Sequence, residues 1–256
     1  MVEGGVLTGP EIHRCIREGR IQVTPFDEKY INPGSIDLTL GNKVAVYGIT
    51  VFVSTPGFVS PFKNAPMYVL TDDALRHTTR KAGTNLTTYN ETLDSKKEQP
   101  VYTFDIDPTL GWVLQPGIGY LMHTAERVCT KEFVPVLDGK SSIGRLFVTA
   151  HVTAGYGDTG FDGQYTLEVT TKYPVRLYPG MRFCQMRFMT LSGEVMDYKK
   201  SGNYIGEHSM GPVPSRAWNQ FDGKARNESN AGVSGLAQDA AKVLQSERQV
   251  VQKLRG

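Results

Sequence analysis

Between Leu137 and Glu168 the chain reads LDGKSSIGRLFVTAHVTAGYGDTGFDGQYTLE. These 32 residues gather a cation beside two hydroxyls, a lone arginine, a glycine-rich turn with one acid, and a glutamate in a β-type stretch. Asp138-Gly139-Lys140-Ser141-Ser142 offers backbone N–H groups, hydroxyls and an ammonium in one turn, a set suited to an anion such as phosphate. It is not a Walker A loop, whose first glycine would fall on Val134. A solvated turn with a serine cap is the competing reading of these residues. Arg145 follows Ser141 by one helical turn, so both can face one pocket. Its place ahead of the apolar run LFVTAHV predicts a partly buried guanidinium, which needs an anionic partner. Glu168 is the candidate. In Tyr165–Thr170, alternation puts Leu167 and Val169 on one face and Thr166, Glu168 and Thr170 on the other. The pair is either a structural bridge or a general base tuned by the arginine and by burial.

His151 alternates with Val148, Ala150 and Val152 and is expected to be a satisfied core histidine. In Ala154-Gly155-Tyr156-Gly157-Asp158-Thr159-Gly160-Phe161, glycines allow close approach of a ligand to the backbone. There Asp158 suits a sugar hydroxyl, and Tyr156 or Phe161 can stack on a ring. A plain hairpin with Asp in its turn fits the same run.

The elements that must position these groups are short. Residues 8–19 predict a helix with Thr8 as N-cap, Pro10 early and Gly19 at its end. Strand-like runs follow at Gln22–Pro25, Ser35–Leu40, Lys43–Tyr47, Val51–Val53, Val101–Ile106, Gly111–Leu114, Gly119–His123 and Ala125–Cys129. Punctuation by Gly and Pro continues to about Phe188, the pattern of a β-sandwich or barrel. Residues 60–99 are polar without a clean period and are expected to form an exposed insertion loop. Residues 192–222 read as an ordered arm or lid, and 223–235 as a linker. Helical spacing of Leu236, Ala240, Val243, Leu244, Val250, Val251 and Leu254 predicts a helical or partly ordered tail.

The 256 residues, 39% apolar and 21% charged, suit one well-cored domain with an appendage. A net charge of +2 gives no mandate for nucleic acid; residues 223–256 carry +3, so the remainder sits near −1. The three cysteines, Cys15, Cys129 and Cys184, are scattered and have no zinc spacing, as expected of reduced thiols. No 18-residue apolar run occurs, and the first residues lack a signal-type apolar core. The expectation is a soluble, cytoplasmic chain with no membrane contact.

Over about residues 5–222 the chain resembles the dCTP deaminase branch of the trimeric dUTPase superfamily. The resemblance is carried by the central run and by Asn32, Pro33, Ser35, Asp37 and Leu38 of an Asn-Pro-x-Ser-x-Asp-Leu segment. GWVLQPGIGYLMHTAERV (111–128) and VRLYPGMRFCQMRF (175–188) extend it. It implies a mainly β, distorted jelly-roll subunit of the dUTPase-like type with few short helices. It further implies a homotrimer with sites between subunits, and deamination of a deoxycytidine nucleotide, with Mg²⁺ on the substrate phosphates and no zinc. The zinc deaminases carry H-x-E and P-C-x-x-C. None of the five histidines here has Glu two residues on, and no two cysteines are close, so a carboxylate would have to activate the water.

By position, the resemblance makes Glu168 the catalytic carboxylate, Arg145 the residue orienting it and the water, and Lys140 with Ser141 the phosphate contact. Lys140 stands where Arg is commoner, which keeps the charge and loses the bidentate fork. Ser142, Gly155, Gln185 and Tyr198 join the nucleotide site; Ala154 meets the base, Asp158 the 3′-hydroxyl, and Tyr156 disfavours a ribose. Members that only deaminate tend to have Ala-His where this chain has Ala154-Gly155; Ala-Gly tends to mark those that also form dUMP and pyrophosphate. The family arm S-G-K-Y-Q-G-Q…G-P-T-P-S-R corresponds to Ser201-Gly202-Asn203-Tyr204-Ile205-Gly206-Glu207 and Gly211–Arg216. Asn203 and Glu207 remove one cation and add one anion beside the expected phosphates. A shorter phosphate chain, a cation from Lys199 or Lys200, or altered metal use would each fit. A dUTP pyrophosphatase or dCMP deaminase on the same scaffold stays open, as does a non-catalytic nucleotide-sensing or partner-binding protein.

Overall fold

The structure, a computed structural model, describes residues 4–47, 53–54, 86–87, 93–99, 101–200 and 202–221. Most of the expected 60–99 insertion, Ser201, the 223–235 linker and the expected 236–254 helix lie outside the described residues. Helix α1 (Gly9–Arg17) follows Thr8, carries Pro10 in its first turn, where no intrahelical N–H bond is lost, and buries Ile12 and Cys15. Gly19, at φ +73°, takes the left-handed conformation that ends it. Strands β1 (Ile21–Thr24), β2 (Ile31–Asn32), β3 (Ser35–Thr39) and β4 (Lys43–Tyr47) come next. After β5 (Val53–Ser54), β6 (Leu86–Thr87), β7 (Val101–Asp105) and β8 (Trp112–Leu114) comes the long β9 (Tyr120–Thr130). The chain goes on through β10 (Phe133–Gly139), α2 (Ser141–Gly144), β11 (Val148–Thr149), β12 (Asp162–Thr171), β13 (Val175–Leu177) and β14 (Arg182–Thr190).

Residues 1–46 and 103–214 form one compact unit. Its first sheet runs β10-β14-β3-β2 and its second β11-β12-β9-β4-β7, with β1 also on β9. This is the mainly β architecture expected from the sequence. The sheets meet where β3 and β10 pack over β9. Ile36, Leu38, Met122, Leu137, Leu167, Phe183 and Phe188 are fully buried there. Each such side chain contributes about 1.5–3 kcal/mol by leaving water. A second unit comprises residues 47–102 and 215–256. Within it β5 pairs β6 antiparallel, and the Ser215 N–H donates to the Tyr47 hydroxyl at 2.5 Å. Among the described residues no helix is long and apolar enough to cross a membrane.

β9 is one strand where the sequence suggested two, 119–123 and 125–129. The reason is a bulge: β12 advances only from Gln164 to Thr166 while β9 advances from Arg127 to His123. Thr124 holds it, accepting the Tyr165 N–H at 2.9 Å and donating to the Glu126 carbonyl at 2.8 Å. Thr124, the polar residue that reads as a break, is thus buried and hydrogen-bonded within a continuous strand. Glu126 turns between the sheets, where its carboxylate accepts the Thr39 N–H at 2.8 Å and the Thr39 hydroxyl at 2.7 Å. Burial pushes its carboxyl above the usual range, opposed by those two bonds.

His123 is buried beside this bulge. Its Nδ1 lies 2.9 Å from the Thr124 carbonyl, which can only accept, so Nδ1 carries the proton. Its Nε2 then accepts the Lys43 N–H at 3.3 Å, a bond that a second proton would abolish. Burial holds its pKa below the ordinary value, so the folded state resists a proton that the unfolded chain takes up once pH drops below about 6.5. Stability is therefore fully present above that pH and is lost progressively as pH falls from there through the lower folded-state pKa. Urea unfolding at pH 7.5 and 5.5 should show a smaller pH-dependent loss in His123→Gln than in wild type. Equal losses would contradict this role.

Candidate active site

β10 delivers Lys140 as the residue before α2, whose first turn closes through Ile143 and Gly144 N–H bonds to the Lys140 carbonyl at 3.0 and 2.9 Å. Ile143 is buried and pins the turn, leaving Ser141 and Ser142 exposed. Arg145 caps α2 and is exposed as well, contrary to the partial burial expected from its apolar neighbours. Those neighbours explain the difference. Leu146 and Phe147 are themselves 46% and 52% exposed, so within one chain the run does not enclose the guanidinium. Phe147 sits at φ +57°, unusual for a non-glycine residue, with its ring edge-on to Tyr173 at 5.5 Å.

On β12, Leu167 and Val169 are buried while Thr166, Glu168 and Thr170 share the other, half-covered face, as the alternation predicted. Glu168 lies opposite Leu121 of β9, and its carboxylate accepts the Val152 N–H at 3.4 Å. Among the described residues no ion pair joins it to Arg145. The segment after β11 runs back along β10: the Leu137 N–H donates to the Gly155 carbonyl at 2.7 Å, and the Gly157 N–H to the Pro135 carbonyl at 2.8 Å. This ladder presents Ala154, Tyr156 and Asp158 at the surface. His151 is not the satisfied strand histidine expected: it follows β11, and its buried Nδ1 has no partner. Its ring packs on Gly155. A Cβ at 155 would stand 2.5 Å from the Leu137 carbonyl oxygen and 2.9 Å from His151 Cε1, so only glycine fits.

Tyr156, Asp158, Tyr198 and Asn203 line one cleft of about 660 Å³, walled also by Glu194, Asp197 and Tyr204. Its arm side is held at several points. The Tyr198 N–H donates to the Thr159 carbonyl at 3.0 Å, and the Tyr198 hydroxyl accepts the Tyr204 N–H at 3.1 Å. Lys199 is bound to Asp162 at 3.0 Å, as is Arg127 at 2.7 Å. Burial pulls the Asp162 carboxyl up, but Lys199 and Arg127 together bring it below its usual range. Lys199 is thus already engaged as an anchor of the arm. Glu207 stands exposed 3.6 Å from His208 and outside the cleft lining.

Lys140 and Gln185 belong to a different cluster, on the four-stranded sheet. Gln185 of β14 lies between Asp138 of β10 and Asp37 of β3. Lys140 Nζ sits 2.8 Å from both oxygens of the Asp37 carboxylate. Asp37 was not among the residues expected in the site. The available signal was the polar alternation of Ser35, Asp37 and Thr39 in a strand flanked by Ile36 and Leu38. Among the described residues the anticipated ones fall in these groups: the cleft of Tyr156, Asp158, Tyr198 and Asn203; Glu168, bonded to the Val152 N–H; Lys140 and Gln185 with Asp37; and an exposed Ser141, Ser142 and Arg145.

A mainly β subunit with a basic-serine loop, a glycine turn without room for a side chain and a strand-borne glutamate defines a class, and sequence comparison names it. The chain belongs to the dCTP deaminase-like family, whose model it matches over residues 6–64 and 70–191. It is 36% identical over 219 residues to "dCTP deaminase, dUMP-forming" of Leptospira biflexa serovar Patoc, covering 86% of this chain and 99% of that protein. To the protein of the same description from Clostridium beijerinckii it is 34% identical over 217 residues, 85% and 99% of the two chains. A solved 2'-deoxycytidine 5'-triphosphate deaminase from Agrobacterium tumefaciens aligns with TM-score 0.47 and 21% identity, over 73% of this chain and 49% of that one.

The crowding at Gly155 generates a test. Gly155→Ala should cost about 1–3 kcal/mol of stability, because the added methyl meets backbone rather than a side chain that can yield. An unchanged denaturation midpoint would show that the turn is not held against β10 as described.

Proposed function

We propose that the protein deaminates dCTP and carries the product on to dUMP and pyrophosphate. The observation that carries this reading is Glu168: a carboxylate on the open face of a strand, beside the turn that would hold the base, with one long bond from the Val152 N–H. In the proposed reaction Glu168 takes a proton from water as the water oxygen bonds to C4 of the cytosine ring. Protons then pass to N3 and to the amine, the C4–N bond breaks, ammonia leaves, and C4 becomes a carbonyl. A second water cleaves the α–β phosphoanhydride. The Ala154-Gly155 turn supports this second step, and the matched relatives are described as dUMP-forming.

Ser141 and Ser142 present hydroxyls, and Lys140 a cation, to the phosphates. Asp158 binds the 3′-hydroxyl, Tyr156 and Tyr198 border the sugar, and Gln185 and Asn203 contribute amides. The oxygen donors of the cleft, Asp158 and Glu194, are of the type that Mg²⁺ contacts through its waters, which fits a magnesium ion arriving on the phosphates. That ion would neutralise phosphate charge.

The functional unit is a homotrimer in which Arg145 of one copy reaches Glu168 of the next, positions the water and supports the developing charge. Exposure of Arg145 beside Leu146, Phe147 and Tyr173 supports this, since a second copy would cover that apolar surface and desolvate the guanidinium.

Product analysis tests the reading. Protein incubated with Mg²⁺ and, separately, dCTP, dUTP and dCMP should give dUMP, pyrophosphate and ammonia from dCTP. Accumulation of dUTP would remove the second step; turnover of dCMP alone would reassign the substrate to the monophosphate. Glu168→Gln should lose turnover by about 10²–10⁴-fold while nucleotide affinity stays within about threefold. Full activity in that variant would sink the assignment.

A further inference from the structure

Asp37 is an isolated carboxylate at the centre of β3, its side chain fully buried. Burial of a charge is costly unless it is paired and hydrogen-bonded. Here every lone-pair direction is used. Asn32 Nδ2 donates to Oδ1 at 2.8 Å, Lys140 Nζ to both oxygens at 2.8 Å, and Arg182 NH1 approaches Oδ2 at 3.3 Å. The two cations differ in exposure: Arg182 is 53% exposed and Lys140 20%. Lys140 is therefore the partner committed to the carboxylate, and Arg182 covers it from outside.

The consequence falls on α2. Lys140 is the last extended residue before that turn, and its carbonyl accepts the N–H groups of Ile143 and Gly144. Fixing its side chain fixes the start of the segment that presents Ser141, Ser142 and Arg145. A lysine ammonium on a four-carbon stem lacks the rigid fork of a guanidinium, so it keeps its rotamer freedom unless a partner holds it. An ammonium has three N–H groups; the carboxylate takes two directions and leaves one for another acceptor. On the same sheet face, Ser35 donates its hydroxyl to Gln185 Oε1 at 3.4 Å, a further tie between β3 and a nucleotide-site residue.

We infer that Asp37 is a positioning residue for the nucleotide's phosphates: it holds the Lys140 ammonium in place ahead of Ser141 and so sets how tightly substrate binds. The inference rests on the proposed reading of Lys140 as a phosphate contact. Two effects of Asp37 oppose each other. Its charge partly neutralises the lysine, which weakens attraction for phosphate, while its bonds immobilise the lysine, which strengthens it. The short, symmetric contacts in a buried setting make immobilisation the larger effect.

Steady-state kinetics on dCTP decides this, with wild type, Asp37→Asn, Lys140→Met, Lys140→Arg and the Asp37→Asn/Lys140→Met double variant. Asp37→Asn should raise KM about tenfold, the loss of one charge-assisted bond, with kcat within about twofold. In the Lys140→Met background the same change should move KM by less than about twofold, because Asp37 acts through Lys140. Lys140→Arg keeps the charge and should raise KM less than Lys140→Met does. A fall in KM on Asp37→Asn would overturn the inference, since neutralisation would then dominate. So would an unchanged KM with reduced kcat, or an equal KM effect in both backgrounds. If Asp37→Asn does not fold, Asn32→Ala carries the test, expected to raise KM about threefold at constant kcat; an unchanged KM overturns the proposal. A wild-type protein that turns over no deoxynucleotide would instead overturn the functional reading, and this inference with it.

Discussion

The ladder between β9 and β12 decides which side chains of the site face outward, and the bulge at 124–126 sets that ladder. A strand repeats every two residues, so a slip of one would turn Glu168 into the core and bring Leu167 and Val169 out. The bulge holds register through polar groups that are costly to leave unpaired. Thr124 bonds across to Tyr165, and Glu126 reaches the other sheet to grip Thr39 by its N–H and hydroxyl. One carboxylate thereby links the sheets at the bulge, and beyond it the ladder sets Glu168 opposite Leu121.

A second constraint is that the residues anticipated for the site do not share one cleft among the described residues. The cleft lined by Tyr156, Asp158, Tyr198 and Asn203 is built by the arm and the glycine turn, and Lys140 is held on the four-stranded sheet by Asp37. Arg145 points from a surface whose apolar members are uncovered. An uncompensated arginine in water is a poor electrostatic catalyst, because solvent screens it; enclosed against a carboxylate it acts at much lower effective dielectric. On the proposed reading, assembly of copies is what makes Arg145 useful to Glu168, and an isolated subunit should be inert for that reason.

Much of this was legible from residue types alone. The alternation around Glu168 and the Thr8 and Gly19 limits of α1 are local patterns, and each was found where the spacing placed it; Gly155, read as room for a ligand, instead lets the turn pack on Leu137 and His151. The failures share one cause. The break suggested at Thr124 vanished because its polar groups find partners on β12 some forty residues away in sequence. Asp37 and Lys140, 103 residues apart, meet only because β3 and β10 flank the same strand. Burial of Arg145 was inferred from neighbours that, within one chain, are themselves exposed. His151 looked like a strand residue but lies past the end of β11, packed on Gly155. Local pattern reports periodicity; it does not report which distant strand, or which second copy, supplies the other half of a contact.

The most direct test of the account is complementation between two inactive variants. Arg145→Ala and Glu168→Gln would be co-expressed with different tags, and the mixed assemblies purified through both and assayed on dCTP. If Arg145 of one copy serves Glu168 of the next, every mixed trimer regains about a third of its sites, the one interface where each partner supplies its intact residue. Activity near that fraction, absent from either variant alone, is the predicted result. Mixed assemblies no more active than the separate variants would contradict a site shared between copies and place both residues within one chain.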